Sequence, residues 1–115
     1  MVTQFVPDAG DLIWLDFDPQ AGHEQAGRRP ALVLSSWQFN SKASLAFVCP
    51  VTSKIKGYAS EVRLPPGSAV YGAVLCSHLR SVDWKVRNPA PIGKASDDVL
   101  FTVREVVAAI AGITP

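Results

Sequence analysis

The apolar residues of this chain fall into short runs bounded by Gly, Pro, Asp and Ser. Runs of this length with such boundaries are typical of β-strands. Pro30 is predicted to open the second strand and Pro50 to stop the third, because proline has no N–H for a β-ladder. The pattern predicts strands or extended segments at residues 12–17, 31–34, 43–49, 61–64, 71–76, 78–82 and 92–94.

The first predicted strand, residues 12–17, is apolar at both alternate sets of positions. A strand with this pattern is usually covered on both faces, because neither set of side chains is suited to water. We therefore expect the two faces of this strand to be buried, with Trp14 in the core.

Two helices are predicted. Residues 96–111 carry an apolar stripe at helical spacing, with Ser96 as the N-cap, acidic residues in the first turn and Gly112 just past the end. The stripe consists of Val99, Val103, Val106, Val107 and Ile110. A short helix is predicted at residues 36–40, with Ser35 or Ser36 as its N-cap. Short strands, tight turns and one terminal helix indicate a mainly β (α+β) fold, a small curved antiparallel sheet or partly open barrel.

The segment between the first two strands is longer than a hairpin requires. It is rich in Gly and polar residues, and its acidic side chains precede the pair Arg28–Arg29. Long loops between strong strands are often functional. A solvated loop with incidental charges fits the same residues, so the loop alone leaves both interpretations open.

Length and composition set the remaining limits. The 115 residues fit a single domain spanning 1–115, and an apolar fraction of 48% suffices for a core. No apolar run is long enough to span a bilayer and no signal peptide is visible, so we expect a cytoplasmic protein that does not contact the membrane.

Cys49 and Cys76 lie in apolar runs and are predicted to be buried free thiols. The two histidines, His23 and His78, show no metal-ligand spacing, so neither a metal nor a cofactor is expected.

Charge is distributed unevenly along the chain. No Lys or Arg precedes Arg28, whereas residues 42–94 are predominantly basic. The basic residues of that region are Lys42, Lys54, Lys56, Arg63, Arg80, Lys85, Arg87 and Lys94, against Glu61 and Asp83. Such asymmetry in a small domain favours a surface that binds a polyanion, although an ordinary solvated surface explains the charges equally well.

Several motifs in fixed order resemble the MazF/PemK family of toxin endoribonucleases. They lie at residues 10–19, 22–30, 31–35, 50–53, 56–58, 72–75 and 79–84, and the resemblance runs almost end to end. It implies an SH3-like, partly open β-barrel with a short helix and a C-terminal helix. It also implies a homodimer that cleaves single-stranded RNA (mRNA) at short sequences, and a cognate MazE-like antitoxin that covers the active groove. DNA would be reached only indirectly, through the antitoxin complex.

The resemblance places the catalytic pair of the family on Arg29 and Thr52. Glu24 is a further candidate for a catalytic residue. The residues assigned to RNA binding are Asp16, Phe17, Gln25, Arg28, Lys54, Lys56, His78 and Arg80. One departure is visible at Ser77–His78, where many members carry an acidic residue followed by Gln. Because that pair lies near the RNA groove in the family, we expect the sequence preference to differ from that of better-known relatives.

Metal-independent cleavage of RNA uses the neighbouring ribose 2′-hydroxyl as the nucleophile, and it needs a proton acceptor, a proton donor and groups that stabilise the phosphorane charge. Arg29 offers a permanently charged fork suited to phosphate, and Thr52 offers a hydroxyl donor. Arginine is a poor base. Glu24 is therefore the candidate base, with His23 or His78 as alternatives. The alternative role of Glu24 is an ion pair with Arg28 that only orders the loop.

The basic side chains would track the phosphate backbone, and aromatic residues would stack on unpaired bases. Tyr58, Phe17 and Trp37 are the aromatic candidates for stacking, although Phe17 and Trp37 fit a core role equally well.

Two other functions stay open. A topoisomerase poison like the CcdB relatives of this barrel would need an exposed C-terminal Trp, which residues 111–115 lack. An inactive barrel that binds RNA or antitoxin fits poorly with an intact Arg29 and Thr52.

Overall fold

The computed structural model describes residues 5–17 and 27–113 of the chain. Within them, seven strands and two helices follow one another in the order β1 (Asp11–Phe17), β2 (Gly27–Val33), α1 (Trp37–Ala43), β3 (Ala46–Thr52), β4 (Glu61–Arg63), β5 (Ala73–Leu75), β6 (Arg80–Val82), β7 (Ala90–Lys94) and α2 (Asp97–Ala111). Short 3-10 turns at Cys76–His78 and Trp84–Val86 flank β6.

The strands form one antiparallel sheet that does not close on itself. The hydrogen-bonded order is β4-β5-β3-β2-β1-β7, and β6 pairs with the first half of β3. In the described residues β4 and β7 end the sheet without pairing with each other. The prediction of a mainly β, partly open barrel with a short helix and a C-terminal helix is therefore confirmed. No helix within residues 5–17 and 27–113 is both long and apolar enough to cross a membrane.

Both predicted proline boundaries are wrong. β2 begins at Gly27, so Pro30 lies inside the strand, and β3 runs through Pro50 to Thr52. Strand β3 changes partners at this point, because β6 pairs with residues 46–48 and β5 with residues 51–52. Pro50 sits at the changeover, where the side of β3 opposite β2 has no paired strand that would need its N–H. The strand can therefore bend there without losing a ladder bond.

Two apolar clusters occupy the two faces of the sheet. One lies under α2 and contains Leu12, Leu32, Cys49, Val74 and Val103, and the other contains Ile13, Leu15, Phe17, Val48 and Trp84. Only the beginning of β1 is covered on both faces. Trp14 points to the side of Leu12 but is 40% exposed, so its prediction as a core residue is wrong. It lies beyond the residues that α2 covers.

Helix α2 begins and ends as the sequence predicts. Ser96 Oγ accepts a hydrogen bond from the Val99 N–H at 3.2 Å, and Gly112 follows the last turn in the left-handed conformation. Arg104 donates from Nη2 to the Leu34 carbonyl at 2.6 Å, which ties the helix to the end of β2. The predicted stripe is buried at Val99 and Val103, but Ile110 is exposed because the last turns of α2 extend past the sheet.

The two cysteines are free and buried, as predicted. Both thiols lie in the cluster under α2. Burial raises the pKa of Cys76 to about 11, and burial together with the neighbouring Cys76 raises the pKa of Cys49 still further. Both thiols therefore stay protonated near neutral pH.

Helix α1 is anchored by one fully buried amide, Asn40. Its Nδ2 donates to the carbonyls of Pro7 at 2.8 Å and Ser35 at 3.0 Å, and its Oδ1 accepts from Ser35 Oγ at 2.6 Å. The main-chain carbonyl of Asn40 accepts from Trp84 Nε1 at 3.1 Å. A single residue thus joins the N-terminal segment, the end of β2 and the second apolar cluster.

Replacing Asn40→Ala is expected to destabilise the fold by about 3 kcal/mol, because it leaves two carbonyls and a hydroxyl without a partner beside a cavity. Urea denaturation followed by tryptophan fluorescence measures this loss. The matched control is Ser41→Ala, one residue later in α1, which removes one exposed hydrogen bond and should cost less than about 0.5 kcal/mol. Equal stability of the two variants would contradict the anchoring role of Asn40.

Candidate active site

The pairing between β2 and β3 brings together the ends of two strands that carry predicted catalytic residues. Ala31 pairs with Pro50 and Val33 with Val48. The same register, continued by two residues, places Arg29 opposite Thr52. Alternate residues of a strand share one face, so Arg29 and Thr52 project to the same side of the sheet as Ala31 and Pro50.

Both side chains line one groove of about 570 Å³. The residues around it come from β2, the end of β3, the loop that follows, the start of β4, the end of β5 and the turn before β6. They are Arg29, Thr52, Ser53, Lys54, Lys56, Tyr58, Ser60, Glu61, Leu75, Ser77 and His78. The structure therefore brings together five residues predicted for the site: Arg29, Thr52, Lys54, Lys56 and His78.

Thr52 is held where its hydroxyl hydrogen can be donated into the groove. The residue is only 7% exposed, and its Oγ1 accepts a hydrogen bond from the Lys54 N–H at 3.1 Å. A threonine hydroxyl has one hydrogen and two lone pairs. Because the contact with Lys54 uses a lone pair, the hydrogen remains for a ligand.

The loop after β3 is held by a carboxylate that also lines the groove. Glu61 Oε1 accepts hydrogen bonds from the main-chain N–H groups of Lys56 at 3.1 Å and Gly57 at 2.9 Å. The side chains of Lys54 and Lys56 are exposed. Glu61 therefore fixes the backbone of a loop whose two ammonium groups are free to meet an anion from solvent.

Arg28 lies beside the catalytic candidate in sequence but does not line the groove. It projects to the opposite face of β2, where its Nη1 donates to Asp16 Oδ1 at 3.1 Å and to the Asn88 carbonyl at 2.8 Å. Asn88 Nδ2 donates to the other oxygen of Asp16 at 2.7 Å. These hydrogen bonds, from Asn88 first and Arg28 second, hold the pKa of Asp16 below its ordinary value. Asp16 and Arg28 thus join the end of β1, the start of β2 and the turn before β7.

Two other predicted RNA contacts, Phe17 and Arg80, do not line the groove. The ring of Phe17 is fully buried, so it has no face on which an RNA base can stack, and of its two predicted roles the burial favours the core. The guanidinium of Arg80 lies 5.6 Å from the centre of that ring. Among the described residues, Arg80 Nη1 is buried with no hydrogen-bond partner. The Phe17 ring supports this cation through a cation–π contact.

Three candidates, Glu24, Gln25 and His23, lie outside the described residues. Of the aromatic candidates, Tyr58 lines the groove and is 61% exposed, whereas Trp37 is exposed on α1.

Glu61 lines the groove but was not predicted as a site residue. Its signal was weak but present, because an isolated acidic residue stands among basic ones just after the turn at residues 57–60. Within residues 5–17 and 27–113, no group of three or more His, Cys, Asp or Glu side chains could hold a metal ion.

Comparison with known proteins identifies the family of the chain. Residues 8–111 match the family described as PemK-like, MazF-like toxins of type II toxin–antitoxin systems. The chain is 39% identical over 112 residues to the endoribonuclease toxin MazF of Escherichia coli K12, with 97% of this chain and all (100%) of that protein covered.

Solved structures show the same likeness. A crystal structure of MazF from Deinococcus radiodurans superposes with a TM-score of 0.92 at 51% identity, covering 95% of this chain and 99% of that one. A MazE–MazF crystal structure from the same organism gives a TM-score of 0.87 at 50% identity, covering 96% and 100% of the two chains. This chain therefore belongs to the family of PemK-like, MazF-like toxins of type II toxin–antitoxin systems.

Proposed function

We propose that this protein is a toxin that cleaves single-stranded RNA, chiefly mRNA, at short sequences without a metal ion. The observation that carries the proposal is that Arg29 and Thr52 line one groove together with exposed lysines. A guanidinium and a hydroxyl donor on one face suit a phosphodiester, whose charge grows as the reaction proceeds. The similarity to proteins named endoribonucleases supports the same reaction class.

The reaction would proceed by attack of the ribose 2′-oxygen on the adjacent phosphorus. The 2′-hydroxyl loses its proton to a base, the bond from phosphorus to the 5′-oxygen breaks, and that oxygen takes up a proton. In this scheme Arg29 stabilises the charge on the phosphorane oxygens and donates the proton, and Thr52 donates a hydrogen bond to the same group. The product is a 2′,3′-cyclic phosphate and a free 5′-hydroxyl.

The base in this scheme is Glu24, with His78 of the groove as the alternative. A base must come within hydrogen-bond reach of the proton that it removes. His78 lines the groove with Arg29 and Thr52, so a phosphodiester bound there would lie near its imidazole. Cleavage rates of Glu24→Gln and His78→Gln variants across pH 4–9 would separate the two, because only loss of the base removes the rise of the rate on the acid side of the profile.

RNA would lie along the groove with its phosphates near Lys54 and Lys56 and a base on Tyr58. An exposed tyrosine ring offers a stacking surface that a single strand can use and a duplex cannot. Arg80 and the Asp16–Arg28 pair lie outside the groove lining, so we propose that they support its walls rather than read the RNA. Ser77 and His78 would set part of the sequence preference, since both line the groove.

The toxin would be neutralised by a MazE-like antitoxin and would work as a homodimer. The Deinococcus radiodurans MazF is known in crystal structures with MazE. The groove here carries Arg29, Lys54 and Lys56, and an acidic antitoxin segment would meet the same cations as an RNA phosphate chain. DNA would be contacted only through the antitoxin.

Arg29→Ala is expected to lower the cleavage rate by at least about a hundredfold, because it removes the fixed cation at the reacting phosphate. Cut sites are first mapped on a long RNA by primer extension, and rates are then measured with EDTA present on an oligonucleotide that contains one site. The control is Arg63→Ala, which removes the same charge from the exposed strand β4 outside the groove. Unchanged cleavage by Arg29→Ala, or a requirement for a metal ion, would contradict the proposal.

Glu61→Ala is expected to raise KM about fivefold and leave kcat within about twofold, because freeing the loop weakens the hold on the RNA and leaves Arg29 and Thr52 in place. Glu61→Gln keeps an oxygen that accepts from the N–H groups of Lys56 and Gly57, and it should recover most of the affinity. A fall in kcat with KM unchanged would show that Glu61 acts on the chemistry instead.

An acidic peptide taken from the cognate antitoxin and a single-stranded RNA are expected to compete for the protein. Titrating the peptide into a complex with uncleavable, 2′-deoxy-substituted RNA should release the RNA, measured by fluorescence anisotropy. Both affinities should fall as salt rises, because each ligand displaces counterions from the same cations. A ternary complex at saturating peptide would contradict the shared groove.

A further inference from the structure

Gly72 lies directly against the backbone of Thr52, on the side away from β2. It precedes β5, in which Ala73 pairs with Thr52 and Val74 with Val51. Its φ angle is +143°, which L-residues with a side chain rarely adopt. It is also buried, and it lines no part of the groove.

The approach of Gly72 to Thr52 is closer than any side chain would allow. A Cβ atom on Gly72 would overlap the Thr52 carbonyl oxygen, and it would lie 3.1 Å from the Thr52 carbonyl carbon and 3.0 Å from Val51 Cγ1. The α-hydrogen at that position therefore points at the Thr52 carbonyl, as in the weak contacts between neighbouring strands. The obstructing atoms belong mainly to backbone, so they cannot turn aside as a flexible side chain would.

Gly72 is held in place from its other side as well. Its carbonyl accepts a hydrogen bond from the Leu64 N–H at 2.9 Å, and the following residue, Ala73, pairs with Arg63 of β4 as well as with Thr52. A methyl group at position 72 would therefore be accommodated by moving the end of β3, by breaking the contact with β4, or by both. Moving the end of β3 displaces the hydroxyl of Thr52 relative to Arg29.

We infer that Gly72 is a positioning residue for RNA cleavage: its missing side chain lets β5 approach Thr52 and so sets the place of the Thr52 hydroxyl opposite Arg29. This inference rests on the proposed function, in which Thr52 acts on the phosphodiester. Misplacement of a reacting group by about 1 Å can cost about a hundredfold in rate. The position should therefore affect kcat, whereas KM depends mainly on Lys56 and Tyr58, whose backbone is held by Glu61.

The test is Gly72→Ala, compared with Gly67→Ala as the matched control. Gly67 lies in the turn before β5, also has a positive φ of +87°, and a Cβ there meets nothing within 4 Å. Both variants thus place a methyl group at positive φ, and only Gly72→Ala adds the collision with Thr52. On a mapped RNA oligonucleotide, Gly72→Ala should lose at least about tenfold in kcat with KM within about twofold, and Gly67→Ala should change neither beyond about twofold.

Repeating both substitutions in a Thr52→Ala background separates positioning from general damage. If Gly72 acts through Thr52, Gly72→Ala should lower the residual rate of that enzyme by less than about twofold. A loss of the same factor in both backgrounds, or full activity of Gly72→Ala alone, would overturn the inference. Full activity of Thr52→Ala by itself would instead overturn the proposed role of Thr52, and the inference with it.

A variant with D-alanine at position 72, made by chemical ligation, decides the matter if Gly72→Ala does not fold. D-alanine tolerates positive φ and carries its methyl in place of the other α-hydrogen, away from the Thr52 carbonyl. It should keep kcat within about threefold of the wild-type protein. A folded D-alanine protein with a tenfold loss would overturn the inference, because the Thr52 contact would then not be the cause.

Discussion

The register between β2 and β3 is the constraint on which the candidate site depends. Continued from the Ala31–Pro50 pair, it sets Arg29 across from Thr52. A slip of one residue would turn every side chain of β2 to the other face and present Arg28 in place of Arg29. The apolar residues of β2 resist that slip, because Ala31 and Val33 are buried in one cluster and Leu32 in the other. Packing on both faces of the sheet thus fixes which side chains of β2 face the groove.

The two adjacent arginines show how strand alternation divides one sequence motif into two roles. Arg29 faces the groove, whereas Arg28 crosses to the other face and bonds Asp16 and the Asn88 carbonyl. Asn88 presents its side-chain amide and its carbonyl to this pair at once, from a backbone with φ of +51°. The sequence analysis considered a pairing of Arg28 with Glu24. Within the described residues, Arg28 pairs with Asp16 and so joins the ends of β1 and β2, whereas Glu24 lies outside them.

Much of the architecture could be predicted from local chemistry. Caps at Ser36 and Ser96, the helix that follows each, and most strands were visible in the pattern of apolar residues and turn formers. Proline boundaries failed because a strand needs each N–H only where a neighbour pairs with it, and the partner change at Pro50 is a property of the tertiary fold. Trp14 was misplaced for the same kind of reason, since the reach of α2 over the sheet cannot be read from β1.

The candidate site was less accessible to sequence reasoning than the fold. Arg29 and Thr52 were found through the family resemblance, because nothing local in a strand shows which residue it will face. Glu61 holds the lysine loop through the N–H groups of Lys56 and Gly57, and Gly72 lies against the backbone of Thr52 on another strand. Such contacts leave almost no periodic signal. They become visible only when the register of neighbouring strands is known.

The most direct test of the account is a crystal structure of the protein with a single-stranded RNA that carries a 2′-deoxy nucleotide at the mapped cut site. Removing the nucleophile prevents cleavage and leaves the phosphate that would react in place. The account predicts that the Arg29 guanidinium and the Thr52 hydroxyl both lie within about 3 Å of oxygens on that one phosphate. A scissile phosphate that contacts only one of them, or lies outside their groove, would contradict it.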